Sequence, residues 1–221
     1  ITSADEAASP RVYVNNAAGN DASDGLSAIA TGNSSGPVRT IMQALRTAKP
    51  GAKIILAPTG IDYRETVQIE GWNLGTAAAP LVIEGNGATV SGLVEVPPTL
   101  WKKGDGDRYF LDSEALTKLV PLGGMPKSNW LWQEPEAPAI FFLDGKPAPH
   151  AEKLEDLREG GFFYNVNAAP LRIWFRLPAG KEISQCKTEL PGNHGVIIND
   201  DHVVVRNLAS VYSSDDGFST F

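Results

Sequence analysis

Several short stretches of this chain group side chains that can do chemistry. Ser213-Ser214-Asp215-Asp216-Gly217-Phe218-Ser219 sets two adjacent carboxylates among hydroxyls. Asp followed by Gly also makes a tight turn, so the stretch has a plain structural reading. His202-Val203-Val204-Val205-Arg206-Asn207-Leu208 reads as a strand. If Val203, Val205 and Leu208 point inward, then His202, Val204 and Arg206 share the outward face. There Arg206 and His202 are placed to meet an anionic group or to take up a proton, and His194 is a similar candidate. Asp21 and Asp24, in Gly19-Asn20-Asp21-Ala22-Ser23-Asp24-Gly25, form a second oxygen-rich loop. Its spacing does not fit the EF-hand pattern, and it reads best as a capped polar loop. Hydrolysis by paired carboxylates requires two acids about 5–10 Å apart, one with a raised pKa. Asp215 or Asp216 could supply one acid, and Glu134, Glu136 or Asp144 the other.

The composition narrows the chemistry. Lys and Arg total 19 against 26 Asp and Glu in 221 residues, a formal charge of −7. That balance argues against a phosphate-backbone binder, whose affinity comes from clustered Lys and Arg. No apolar run approaches the roughly 20 residues of a membrane-spanning helix. The single cysteine, Cys186, excludes an internal disulfide framework and a cysteine zinc cluster, and reads as a small buried residue. Ile1-Thr2-Ser3-Ala4-Asp5-Glu6 lacks the basic start and apolar core of a secretory signal. Without an initiator Met, the start suggests a removed leader, and residues 1–10 read as a flexible tail.

The elements that must hold these side chains are mostly short strands. Arg11-Val12-Tyr13-Val14 is one, followed by a polar loop to Ser34. Pro37 opens one helix, with Ile41, Ala44, Leu45 and Ala48 on one apolar face. Thr40 caps it, Gln43 completes a capping box, and Pro50-Gly51 stops it. Strand signals then recur at Lys53–Ala57, Thr66–Glu70, Leu81–Glu84 and Ala88–Val90, the last two split by Gly85-Asn86-Gly87. They return at Gly195–Asn199 and His202–Leu208. Brief strands repeating about every 20–30 residues suggest stacked solenoid coils. Residues 97–190 break this rhythm and hold four of the five tryptophans. There Ala139–Leu143 leads into an Asp144-Gly145-Lys146 hairpin turn, and Leu171–Leu177 alternates strictly. In that alternation Trp174 reads as core.

The ordered set Val12-Tyr13-Val14, Gly19-Asn20-Asp21, Asp24-Gly25-Leu26-Ser27, Gly36–Ile41, Ala44-Leu45, Ala48–Gly51, Ile54-Ile55-Leu56 and Tyr63–Val67 resembles the start of right-handed parallel β-helix proteins of the pectate-lyase-like superfamily. The last 27 residues are similar to further coils. The middle, opening with Phe142-Leu143-Asp144-Gly145-Lys146, is similar to the strand insertion of some β-helix glycoside hydrolases. The expected fold is therefore all-β: a right-handed parallel β-helix with an N-terminal capping helix and an inserted antiparallel β subdomain. Residues 11–96 would form the cap and first coils, 97–190 the insertion, and 191–221 further coils, with Asn207 in an internal Asn ladder. The chain looks C-terminally truncated, so missing coils or self-association would cover its open end.

The resemblance implies a secreted, periplasmic or cell-surface protein acting on a polysaccharide. In lyases and uronan epimerases of this fold, Ca²⁺ neutralises a uronate carboxylate and a basic side chain removes the C5 proton. Asp215-Asp216-Gly217-Phe218 looks like their calcium-binding stretch, with Ser219 where a third acid stands. Arg206 and His202 are then the catalytic candidates, Asp215 and Asp216 the Ca²⁺ ligands, and His194 a substrate contact. Trp130 and Trp132 share a face if extended, which suits stacking on a sugar ring. A β-helix glycoside hydrolase with paired carboxylates is the alternative enzyme. A non-catalytic carbohydrate-binding module is the alternative outside enzymes.

Overall fold

The computed structural model describes residues 9–32, 34–119, 140–164, 172–214 and 216–220. The described residues are mostly β-structure with few helices, in two compact units. One comprises Ile1–Gly92 with His194–Phe221, the other Leu93–Asn193.

Two parallel sheets build the first unit. One runs β1 (Arg11–Val14), β2 (Lys53–Leu56), β4 (Leu81–Ser91), β14 (Val203–Val211). The other runs β3 (Val67–Ile69), β13 (Val196–Ile198), β15 (Phe218–Thr220). Each strand of the first sheet from β2 onward is followed along the chain by one of the second, separated only by turns or, after β4, by the other unit. The segments β2–β3, β4–β13 and β14–β15 therefore stack as three successive rungs. Ile54 pairs with Ile83 and Ile83 with Val205, while Ile69, Ile198 and Thr220 align in the other sheet. Like residues fall in columns, so a single dry interior forms from Ile54, Leu56, Val67, Ile69, Leu81 and Ile83, all fully buried. Val203, Val205 and Leu208 pack onto this core, while Val204 and Arg206 lie exposed. Complete burial of each aliphatic side chain contributes about 1.5–3 kcal/mol.

The turn expected at Gly85-Asn86-Gly87 is a corner within one long strand. Asn86 (φ 51°) and Gly87 (φ 82°) bend β4, and Asn207 (φ 52°) bends β14 above it. Asn tolerates this left-handed backbone better than other non-glycine residues. Both corner amides are used: Asn86 Nδ2 donates to Leu56 O (2.9 Å) and Asn207 Nδ2 to Glu84 Oε1 (2.7 Å).

The helix α1 spans Ile41–Thr47, shorter than the Pro37–Lys49 expectation. Its start is delayed because Val38 pairs with Val14 in strand fashion and is itself fully buried. Ile41, Ala44 and Leu45 form its buried face, packed with Val12 and Val14. Thr40 Oγ1 accepts from Gln43 N at 3.1 Å, as a cap should. The reciprocal arm comes from elsewhere: Thr40 N donates to Asp21 Oδ1 (2.9 Å), and Ile41 N and Met42 N donate to Glu65 (2.9 and 3.0 Å). Burial pushes the Glu65 carboxyl up, and the two backbone donors only partly offset this. The folded state thus binds that proton more tightly than the unfolded chain. The associated stability is complete at low pH and is lost as pH rises through the folded pKa. Relative to Glu65→Gln, wild type should lose Tm between pH 4 and pH 7; a relative gain would refute the burial argument.

Asp200 fixes a further turn. Its carboxylate accepts from Gly71 N, Trp72 N and Asn73 N at 2.6, 2.9 and 2.9 Å. Asp200→Ala leaves three amide donors without this partner and should cost about 2–3 kcal/mol in urea melts. A loss below about half a kcal/mol would mean water replaces the carboxylate.

The second unit holds two antiparallel sheets. One orders β5 (Leu93–Val96), β12 (Thr188–Pro191), β8 (Phe142–Leu143), β9 (Lys146–Pro147). The other orders β10 (Phe162–Tyr164), β11 (Arg172–Arg176), β7 (Arg108–Asp112), β6 (Lys102–Lys103), with the helix α2 (Ser113–Leu119) following β7. The β8–β9 hairpin turns at Asp144 (φ 51°) and Gly145 (φ 77°), as its dipeptide requires. Trp101, Phe141, Phe162 and Phe175 form the aromatic core, and Trp101 Nε1 donates to Thr188 Oγ1 at 3.0 Å. Trp174 is not in that core. Strand β11 alternates, but Ile173 and Phe175 take the buried side, leaving Arg172, Trp174 and Arg176 on the other face. The period was legible, but its phase was not.

Candidate functional site

The rungs place the backbone segments of two predicted residues, His194 and Asp216, next to each other. Just ahead of the sheet β3-β13-β15, the segments around Thr66, His194 and Asp216 lie side by side. Thr66 Oγ1 accepts from His194 N (3.0 Å), and Val67 N donates to Gly195 O (3.0 Å). In the next rung Gly195 N donates to Asp216 O (3.4 Å) and Val196 N to Gly217 O (2.9 Å). Ser219 Oγ donates to Asp216 Oδ2 (3.3 Å), and nearby in the chain Ser210 and Ser213 share a 3.3 Å contact. Ser214 Oγ is buried with no hydrogen-bond partner. This is an oxygen-rich turn with one described carboxylate. Among the described residues no three His, Cys, Asp or Glu side chains converge to hold a metal. The described donors therefore do not by themselves fit Ca²⁺, which takes six to eight oxygens. Asp215 lies outside the described residues, as do Trp130, Trp132, Glu134 and Glu136.

Arg206 lies in the other sheet's last strand, β14, whereas His202 is a bend just before it and not part of the outward strand face expected for both. Arg206 Nε donates to Glu84 Oε2 at 2.7 Å, with 45% of the arginine side chain exposed. The Asn207 amide and the Arg206 guanidinium together hold the Glu84 carboxyl below its usual range. A carboxylate partner favours the charged guanidinium. Arg206 is thus a cation held in place, able to orient an anion. His202, exposed at φ 56°, precedes the strand, and its carbonyl accepts from Leu81 N at 3.0 Å. A shallow cavity of about 430 Å³ lies at the same corner, lined by Asn86, Gly87, Ala88, Asn207, Leu208 and Ala209.

The remaining candidates are engaged structurally. Asp21 accepts from Arg39 N (2.8 Å), Thr40 N and Thr40 Oγ1, and Asp24 from Leu26 N (3.0 Å) and Gly36 N (3.2 Å). Asp144 accepts from Lys181 Nζ (2.7 Å) and Lys187 N (3.0 Å), which hold its carboxyl low. A general acid needs the opposite shift, so Asp144 does not suit that role. Burial raises the Cys186 thiol, as expected of an inert residue. Glu84 escaped the sequence reading. Its only signal was a carboxylate closing the apolar run Leu81-Val82-Ile83, and its partner Arg206 lies 122 residues away.

No protein-family model matches the chain, and no curated protein matches it. A solved structure of XylC in complex with xylose superposes on 94% of this chain with a TM-score of 0.57 and 15% identity. The match covers 36% of that protein, so this chain spans about a third of its length. At such identity the likeness shows a shared fold. Among the described residues no helix is long and apolar enough to cross a membrane.

Proposed function

We propose that the stacked rungs are coils of a right-handed parallel β-helix, and that the protein acts on an acidic polysaccharide by lyase or epimerase chemistry. The carrying observation is Arg206, an exposed cation held by the Glu84 carboxylate, which the cavity-lining Asn207 also engages. The shared fold with a xylose-bound structure supports a sugar as the ligand. In this reading Arg206 pairs with a uronate carboxylate and makes the neighbouring C5–H more acidic. A ring nitrogen of His202 or His194 accepts the C5 proton. For lyase action the freed electron pair forms the C4–C5 double bond as the C4–O bond breaks, and the leaving oxygen takes a proton. Asp215 and Asp216 would hold Ca²⁺, which would neutralise the same carboxylate.

The test is incubation with polygalacturonate, with and without chelator, following the ultraviolet absorbance of the unsaturated product. Arg206→Ala should lower the rate by about a hundredfold, the scale of losing one charge-stabilising donor. New reducing ends without that absorbance would replace lyase with hydrolase. Retention of polysaccharide with neither product would make the chain a binding module.

A further inference from the structure

The outer face of the β10-β11-β7-β6 sheet carries a row of side chains from all four strands. Cross-strand register aligns Phe163 with Trp174, Trp174 with Phe110, and Phe110 with Lys102. The three aromatic residues are half-buried, and none belongs to the unit's core. The Trp174 and Phe110 rings lie 4.9 Å apart between centroids. Gly104 lets the indole lie against the β6–β7 turn, since a Cβ there would stand 2.7 Å from Trp174 Cζ3. Beside them, the Arg172 guanidinium sits 4.5 Å from the Phe110 centroid and 5.8 Å from that of Trp174. Its Nε is buried without a hydrogen-bond partner. On the same face Lys102 pairs with Asp112 and Arg176 with Asp107. Among the described residues Arg172 has no ion-pair partner, although the whole chain carries −7.

We propose that this face is a binding platform for an acidic polysaccharide, distinct from the rung residues assigned above. Aromatic faces take the apolar C–H face of a pyranose, and Arg172 takes its carboxylate. Flat apolar rings would hold any sugar, whereas the guanidinium of Arg172, whose register partner Asp112 is engaged by Lys102, selects the anionic one. The choice of ligand rests on the polysaccharide reading; the location does not.

Isothermal titration of the full chain compares a galacturonate pentamer with neutral xylopentaose, alongside tryptophan fluorescence. The acidic pentamer should bind more tightly and perturb the fluorescence. Trp174→Ala should weaken both ligands about tenfold or more, the equivalent of one lost stacking contact. Arg172→Gln should weaken only the acidic ligand and abolish the preference. Phe110→Leu, a milder change, reports on the same platform if Trp174→Ala fails to fold. Absence of wild-type binding, or affinities unchanged in Arg172→Gln and Phe110→Leu, overturns the proposal. Product assays run separately: binding that depends on Arg172 without any turnover removes the lyase reading and leaves the platform standing. Turnover with variant-independent binding does the reverse.

Discussion

Gly195→Ala should lower the stability of the protein by about 3 kcal/mol or more, the range of a backbone overpacking that nothing can absorb. A Cβ at 195 would stand 2.0 Å from Gly217 O, 2.5 Å from Ser210 Oγ and 2.7 Å from Gly217 C. The serine can rotate away. The carbonyl cannot, because it accepts from Val196 N at 2.9 Å and so ties the second rung to the third. Moving it breaks the β13–β15 register and tilts the Asp216 turn. Gly217→Ala is the internal control. Its Cβ would meet nothing nearer than Ser210 Cβ at 3.5 Å, an ordinary contact, and should cost less than about half a kcal/mol. Urea denaturation followed by circular dichroism reads both. Equal midpoints would mean that the rungs do not approach as closely as described.

That asymmetry between two glycines shows where sequence reading stops. Local signals were legible: β1, the apolar face of α1, the inward Val203-Val205-Leu208 set and the Asp144-Gly145 hairpin turn all follow from spacing within a few residues. What was hidden depends on pairing between distant segments. The helix begins late because Val38 is claimed by Val14. Gly85-Asn86-Gly87 bends a strand instead of ending it, because β14 lies above and pairs on both sides of the corner. The site shows the same division. The His194 and Asp216 segments lie in neighbouring rungs because β13 and β15 pair in parallel although 22 residues separate the two positions. Arg206 could be placed on an outward face from alternation alone. Its partner Glu84, which holds the guanidinium in place, could not be named without the parallel register.

Phe175→Ala should cost about 3–5 kcal/mol, while Trp174→Ala, removing a larger side chain one position earlier, should cost about 1 kcal/mol. Phe175 is fully buried, with ring centroids 5.2 Å from Phe141 and 5.6 Å from Trp101. Deleting it opens a cavity that Trp101 cannot collapse into, because its indole nitrogen is held by Thr188 Oγ1 at 3.0 Å. Trp174 loses one described stacking partner, Phe110, and its space opens to solvent instead of a void. The comparison therefore reads the phase of β11 directly. Strict alternation in Arg172-Ile173-Trp174-Phe175-Arg176 allows either face to be the core, and size alone favours burying the tryptophan. Charge decides against it: burying Trp174 would bury Arg172 and Arg176 as well, at a cost of several kcal/mol per buried ion. If the larger loss fell on Trp174→Ala, the aromatic row would face inward and no platform would exist.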